Sequence, residues 1–233
     1  MLTSSLFYKK FFLIDFHSKA HITGSLQIDR NIACYITQQD NYRSGLTLEE
    51  LMHLACNLKL NESKARKLER IDDILVQMKL NEQRRNTASD LSGGERKRFS
   101  VALELVSRPQ IFFLDEPTSG LDEISAQQCV SLLRKLAERG RTVVCTIHQT
   151  STKMLSNFDS VYIMTKGQCL YQGKPQALVQ FLSQCGFEYP KSYSPTDYGK
   201  QRNLFGEFEV VFKDKLVIWF GNLKNFLFSS GNL

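Results

Sequence analysis

The sequence predicts an α/β fold built on a mostly parallel sheet. Three observations carry that expectation. Strand-like and helix-like segments alternate from about residue 22 to residue 186. The run Ile111-Phe112-Phe113-Leu114 is apolar without a break, as a strand covered on both faces should be. Between it and the next strand, Thr142 to Ile147, lies an amphipathic helix from Asp122 to Arg139.

The elements follow in order. Ile32-Ala33-Cys34-Tyr35-Ile36 reads as an early strand. Thr47 opens a helix, with Glu50 three residues on to form a capping box. Leu48, Leu51, Leu54, Ala55 and Leu58 then keep a helical period. A charged helix follows from about Glu62 to Met78. The helix from Asp122 has its apolar face on Ala126, Cys129, Val130, Leu133, Leu136 and Ala137, and Gly140 stops it. Val161 to Met164 and Cys169 to Tyr171 read as a strand pair turned at Gly167. Pro175 opens a last helix that ends at Gly186. No internal repeat is visible.

The ends differ from the middle. Residues 1–20 lack a clear period, and their apolar run Phe11-Phe12-Leu13-Ile14 stops at Asp15, too short for a signal-peptide core. Residues 199–233 are rich in Phe and Asn. There Leu216, Trp219, Phe220, Leu223, Phe226 and Leu227 fall at helical spacing, which suggests a packing helix, a loosely ordered tail or a helix lying on a membrane surface. No segment approaches the ~20 apolar residues of a membrane-spanning helix.

Composition narrows the classes further. A chain of 233 residues, 42% hydrophobic and 23% charged, can bury a real core, which excludes a disordered or collagen-like chain. Its net charge of +6, with both signs interspersed, does not compel a nucleic-acid partner. None of the six cysteines lies within four residues of another, and there are only four histidines, so no zinc spacing appears. Buried free thiols are expected.

The chemistry-bearing residues sit where strands and helices end. Asp115 and Glu116 terminate an apolar strand, at the sheet edge where α/β proteins bind ligands. Asp115 suits Mg²⁺, which prefers oxygen ligands and keeps several waters. Glu116 then stands where a carboxylate could orient or deprotonate an attacking water. Ser92, Gly93 and Gly94 precede a helix with Phe99, Ala102, Leu103 and Val106 on its apolar side. Glycines let a phosphate approach the backbone, and the helix N-terminus offers free N–H groups. Arg96-Lys97-Arg98 reads as a solvated face. Gln38 and His148 each follow a strand and share the ligand edge.

In chain order these are Gln38, LSGGERKR, IFFLDEPTSGLD and TIHQ. That order resembles the nucleotide-binding domain of ABC transporters. Residues Tyr35 to Asp40, ERKR, Glu116 to Asp122, and Thr146-Ile147-His148-Gln149 resemble the White-type G subfamily of half-transporters. The resemblance covers about residues 22–198. It implies an ABC-type P-loop NTPase fold with a helical subdomain at about 45–105, flanked by a non-family segment 1–21 and a divergent tail 199–233. It implies the cofactors ATP and Mg²⁺. Gln38 becomes the Q-loop residue near Mg²⁺ and water, Asp115 the Mg²⁺ carboxylate, Glu116 the catalytic glutamate and His148 the switch histidine. Ser92, Gly93 and Gly94 bind the γ-phosphate of ATP held by the opposite subunit, and Ser119 to Asp122 form a loop at the dimer interface. The implied partners are a second ABC nucleotide-binding domain, identical or different, and a transmembrane domain at the cytoplasmic membrane face, not nucleic acid.

The pattern also departs from the family. No GxxxxGK followed by Ser or Thr occurs anywhere in the chain, and the N-terminal strand layer is expected to be incomplete. Gln39 replaces the usual acid, and Thr150 stands where the family has Pro. Three readings follow: part of a transporter ATPase, a non-catalytic partner that donates Ser92 to Gly94 in trans, or a soluble ABC ATPase. ERKR and TIHQ argue against the third. Hydrogen bonds to a charged phosphate are worth roughly 1.5–3 kcal/mol each, so losing three removes on the order of 5 kcal/mol. That carries a micromolar site to about millimolar or weaker. The purified chain is therefore expected to show no ATP turnover above a Glu116→Gln control; Mg²⁺-dependent turnover in the wild type alone would overturn this.

Overall fold

A computed structural model describes residues 32–39, 42, 45–147, 152–165, 168–184 and 216–220. The strands are β1 (Ala33–Ile36), β2 (Ile111–Asp115), β3 (Thr142–Ile147), β4 (Ser160–Thr165), β5 (Gln168–Gly173) and β6 (Leu216–Phe220). The α-helices are α1 (Leu48–Lys59), α2 (Lys64–Gln77), α3 (Gly93–Leu105), α4 (Glu123–Glu138), α5 (Thr152–Leu155) and α6 (Pro175–Gln184).

The strands form one sheet in the order β1-β2-β3-β6-β4-β5. β1, β2 and β3 are parallel, with Ile36 beside Leu114 and Asp115 beside Thr146. Parallel register sends all three C-terminal ends to one edge, the side on which Gln38 and Glu116 follow. Phe112, Leu114, Val143 and Cys145 are buried along these strands. Each such side chain contributes roughly 1.5–3 kcal/mol by leaving water.

The helices form as the sequence indicates. Thr47 caps α1 with the full reciprocal box to Glu50. Its buried residues are Leu48, Leu51, Met52 and Cys56. Leu54 and Leu58, expected on the same stripe, are exposed, Leu58 at 78%. α1, α2 and α3 pack on one another, and α3 also touches β1 and α4. Helix α4 buries Ala126, Cys129, Val130, Leu133 and Leu136 against the sheet, and Gly140 follows at φ +86. Cys34, Cys56, Cys129 and Cys145 are buried free thiols. Burial pushes Cys129 up to about 11, which keeps it protonated and unreactive.

The tail departs from its sequence reading. Leu216–Phe220 is a strand, not a helix, and it runs antiparallel to both neighbours. Leu223, Phe226 and Leu227 of that spacing lie outside the described residues, and Val217, Ile218, Trp219 and Phe220 favour strands. The free edges of β3 and β4 decide the outcome, because unpaired backbone groups in the middle of a sheet are costly. The parallel pairings thus lie on the side that carries Gln38 and Glu116, and the remainder of the sheet is antiparallel. The expected turn glycine Gly167 and helix end Gly186 lie outside the described residues.

Ile218 is paired on one side with Cys145 and on the other with Val161, so a proline there has no free edge to face. Ile218→Pro is expected to lower the unfolding free energy by about 2 kcal/mol or more. Urea denaturation checks this, and an unchanged midpoint would remove β6 from the centre of the sheet.

Candidate functional site

The site grows from the ends of β1 and β2. Gln38 lies two residues beyond β1, and its Nε2 donates to Glu116 Oε2 at 3.0 Å and to Ser119 Oγ at 3.2 Å. Glu116 has φ +48, an uncommon value for a non-glycine residue. The neighbours sustain that backbone. Its N–H donates to Thr146 Oγ1 at 3.0 Å, and its carbonyl accepts from Ser119 N at 3.1 Å. Strain of this kind persists where surrounding structure overdetermines it, commonly at functional positions.

Asp115 is fixed from both sides. Thr146 Oγ1 donates to Asp115 Oδ1 at 2.9 Å, and Tyr35 OH donates to Asp115 Oδ2 at 3.2 Å. Burial, then the Asp115 charge and the hydrogen bond to it, push the Tyr35 phenol upward, so it remains a donor. Neither Tyr35 nor Thr146 was singled out for this task in the sequence. Both precede the expected site residues on parallel strands, so strand register is the signal that points to them.

Ser92 caps α3. Its hydroxyl accepts from Glu95 N at 3.3 Å and donates to Glu95 Oε2 at 2.7 Å. The Ser92 hydroxyl, and then its backbone N–H, hold the Glu95 carboxyl below its ordinary range. The two glycines also have a packing reason. A Cβ on Gly93 would lie 3.1 Å from Leu121 Cδ2, and one on Gly94 would lie 3.2 Å from Ser125 Cβ. Asp122 caps α4. It accepts from Ser125 Oγ at 2.6 Å and from Ser125 N at 2.9 Å, which hold its carboxyl below the usual range. The loop from Ser119 to Asp122 therefore touches Gln38 at one end and Gly93 at the other.

The basic run after Ser92 corrects the sequence reading of a solvated face. Lys97 is only 6% exposed, and its Nζ donates to the Gln38 carbonyl. Arg96 Nη1 donates to Leu91 O at 2.8 Å. The missed signal is periodicity: Lys97 lies on the buried stripe with Gly94, Val101 and Leu105. His148 lies outside the described residues.

Asp115, Glu116 and the Gln38 amide present oxygen chemistry at one sheet edge, which fits a largely hydrated Mg²⁺ held by one or two carboxylates. Among the described residues, no three of His, Cys, Asp and Glu converge as an all-protein cage.

The ABC transporter family pattern matches residues 14–119. The chain is 37% identical over 175 residues to "Protein scarlet" of Drosophila melanogaster, covering 72% of this chain and 26% of that protein. It is 36% identical over 181 residues to "ABC transporter G family member 13" of Arabidopsis thaliana, covering 74% and 26% respectively. This chain carries an ABC transporter domain and is similar to G-type members of that family. Among solved structures, cbiO1 from Clostridium perfringens, part of the ABC transporter complex cbiONQ, matches at TM-score 0.57 and 25% identity over 66% of this chain and 64% of that one. The ABC nucleotide-binding fold is thereby shown. Domains of this family bind ATP, normally with Mg²⁺, and work as dimers with transmembrane domains. The chain spans about a quarter of the length of these two relatives. Among its described residues, no helix is long and apolar enough to cross a membrane.

Thr146 holds both Asp115 and the Glu116 N–H, so Thr146→Val leaves a half-buried amide without its acceptor. The expected loss is about 1–3 kcal/mol, with Thr146→Ser much closer to wild type. Chemical denaturation of the two variants checks this; equal losses would show that the hydroxyl is not what matters.

Proposed function

We propose that this ABC nucleotide-binding domain serves an assembly that couples ATP binding and hydrolysis to transport across a membrane. The observation that carries the reading is the hydrogen bond from Gln38 to Glu116 at the C-terminal edge of the parallel strands. It places an amide and a carboxylate together, beside Asp115, at the edge where α/β folds take nucleotides.

In this reading Glu116 orients the attacking water and takes its proton at a carboxylate oxygen. Gln38 holds that carboxylate in place, and Asp115 holds Mg²⁺ through its oxygens and water. Mg²⁺, when bound, neutralises charge on the phosphate oxygens during in-line attack. The family resemblance assigns His148, next after β3 in the chain, to the γ-phosphate. Ser92, Gly93 and Gly94, at the start of α3, close on the γ-phosphate of ATP held by a second nucleotide-binding domain, using backbone N–H groups and the helix dipole. To donate to a phosphate, the Ser92 hydroxyl leaves Glu95.

The proposed setting is the cytoplasmic membrane face, with a second ABC domain and a transmembrane domain as partners. The proposed cargo is a lipid-like molecule or pigment precursor. The resemblance to the White-type subfamily supports both. Donation of Ser92, Gly93 and Gly94 to a nucleotide on a second domain divides the work at each site between two chains.

That division gives a direct test. Ser92→Arg places a bulky side chain where the γ-phosphate is to be covered. Paired with a complete G-type half-transporter, it is expected to reduce ATP turnover of the pair at least tenfold. Unchanged turnover would defeat donation in trans.

A further inference from the structure

The sheet edge opposite Gln38 and Glu116 has a charge pattern of its own. β2 and β3 begin there side by side, with Ile111 beside Thr142 and Thr142 N donating to Gln110 O at 2.8 Å. The segments that lead into them, Arg108-Pro109-Gln110 and Arg139-Gly140-Arg141, therefore meet at one level. Adjacent strands lie about 4.8 Å apart, so long side chains from the two segments are within reach of one another. Helices α3 and α4 end at the same edge: Arg108 N donates to Leu105 O at 2.9 Å, and Gly140 N donates to Ala137 O at 3.0 Å.

Three arginines gather here without a carboxylate. Arg108 and Arg139 are exposed and Arg141 is half-buried. Among the described residues, none of the three makes a side-chain hydrogen bond or an ion pair. Arg70, Arg84 and Arg134, by contrast, each reach a carboxylate. Burial, then the charges of Arg139 and Arg108, lower the Arg141 guanidinium from its ordinary range, although it stays charged. A helix dipole favours a cation at its C-terminus, which accounts for Arg108 and Arg139 one at a time. It does not account for Arg141, which follows Gly140 and brings a third like charge to the group. Arg108 also has φ +52, a left-handed value uncommon for a long side chain and of a kind often kept at functional positions.

We propose that Arg108, Arg139 and Arg141 form a binding site for a phosphomonoester dianion on the edge of the sheet opposite the nucleotide edge. A phosphomonoester carries roughly two negative charges and three acceptor oxygens, which matches three guanidinium groups. A single carboxylate offers less of both. The planar guanidinium fork binds phosphate oxygens two at a time, which lysine cannot do. The dianion, once seated, replaces mutual repulsion by charge-assisted hydrogen bonds. The site is independent of the transporter reading and of any nucleotide at Gln38 and Glu116. A soluble phosphate or a lipid headgroup bears the same group, and the experiment separates the two.

The full chain is labelled with 15N-arginine, and the Arg141 Nε–Hε resonance is followed as inorganic pyrophosphate is added. A saturable shift is expected, absent with sodium chloride at matched ionic strength. Arg108→Gln and Arg139→Gln are each expected to weaken that binding about tenfold or more, as the loss of a charged contact implies. Pyrophosphate is also expected to raise the Tm of the wild-type chain and to leave that of the Arg108→Gln/Arg141→Gln chain unchanged. In a parallel arm the chain is sedimented with phosphatidylcholine vesicles containing phosphatidic acid or, as a control, phosphatidylserine. Arginine-dependent binding to the phosphatidic acid vesicles identifies a headgroup ligand, and pyrophosphate binding without it identifies a soluble one. An unmoved Arg141 resonance, an equal shift with sodium chloride, undiminished affinity in the variants, or equal binding to both kinds of vesicle would each overturn the proposal.

Discussion

The hydrogen bond between the Gln38 amide and the Glu116 carboxylate depends on the parallel register of three strands. The two residues are 78 positions apart in sequence. They meet because Ile36 lies beside Leu114, so the chain leaves both strands at the same level. A slip of one residue would turn every side chain to the opposite face. Phe112 and Leu114, which share one face of β2, would both leave their places in the core, at a cost far above that of one surface hydrogen bond. The core thus sets the register, and the register places the carboxylates. Thr146, one strand further on, completes the arrangement by binding Asp115 and the backbone of Glu116 together.

The start of α3 shows how one short segment can answer two demands. Gly93 and Gly94 leave room for a phosphate in one interpretation and for Leu121 and Ser125 in the other. The packing is present: the glycines let α3 lie close on the loop that leads into α4. That loop also carries Ser119, which meets Gln38. The Ser92–Glu95 box satisfies the helix end when no phosphate is present, as orphan N–H groups require. The helix start is therefore satisfied by its own carboxylate.

Much of the fold was legible because local signals were strong. The capping boxes at Thr47 and Ser92, the apolar stripe of α4 and the unbroken run Ile111–Leu114 each express a single physical period or cap. The Leu54 and Leu58 positions were misjudged because three helices share one small core, and only one side of α1 finds partners there. Lys97 was misread because a cation within a basic run looks solvated unless its place on the buried stripe is given more weight than its charge.

By itself, the sequence determined the order of the central elements, the helix caps and the strand-end carboxylates, because each rests on neighbouring residues and on spacing along the chain, and its ordered motifs resemble a nucleotide-binding family. Only the tertiary structure decided that Leu216–Phe220 becomes a strand between β3 and β4, that Tyr35 and Thr146 grip Asp115, and that Lys97 joins α3 to Gln38. Those outcomes depend on which distant backbone edges need partners and which polar groups share a buried space, and no local pattern encodes either.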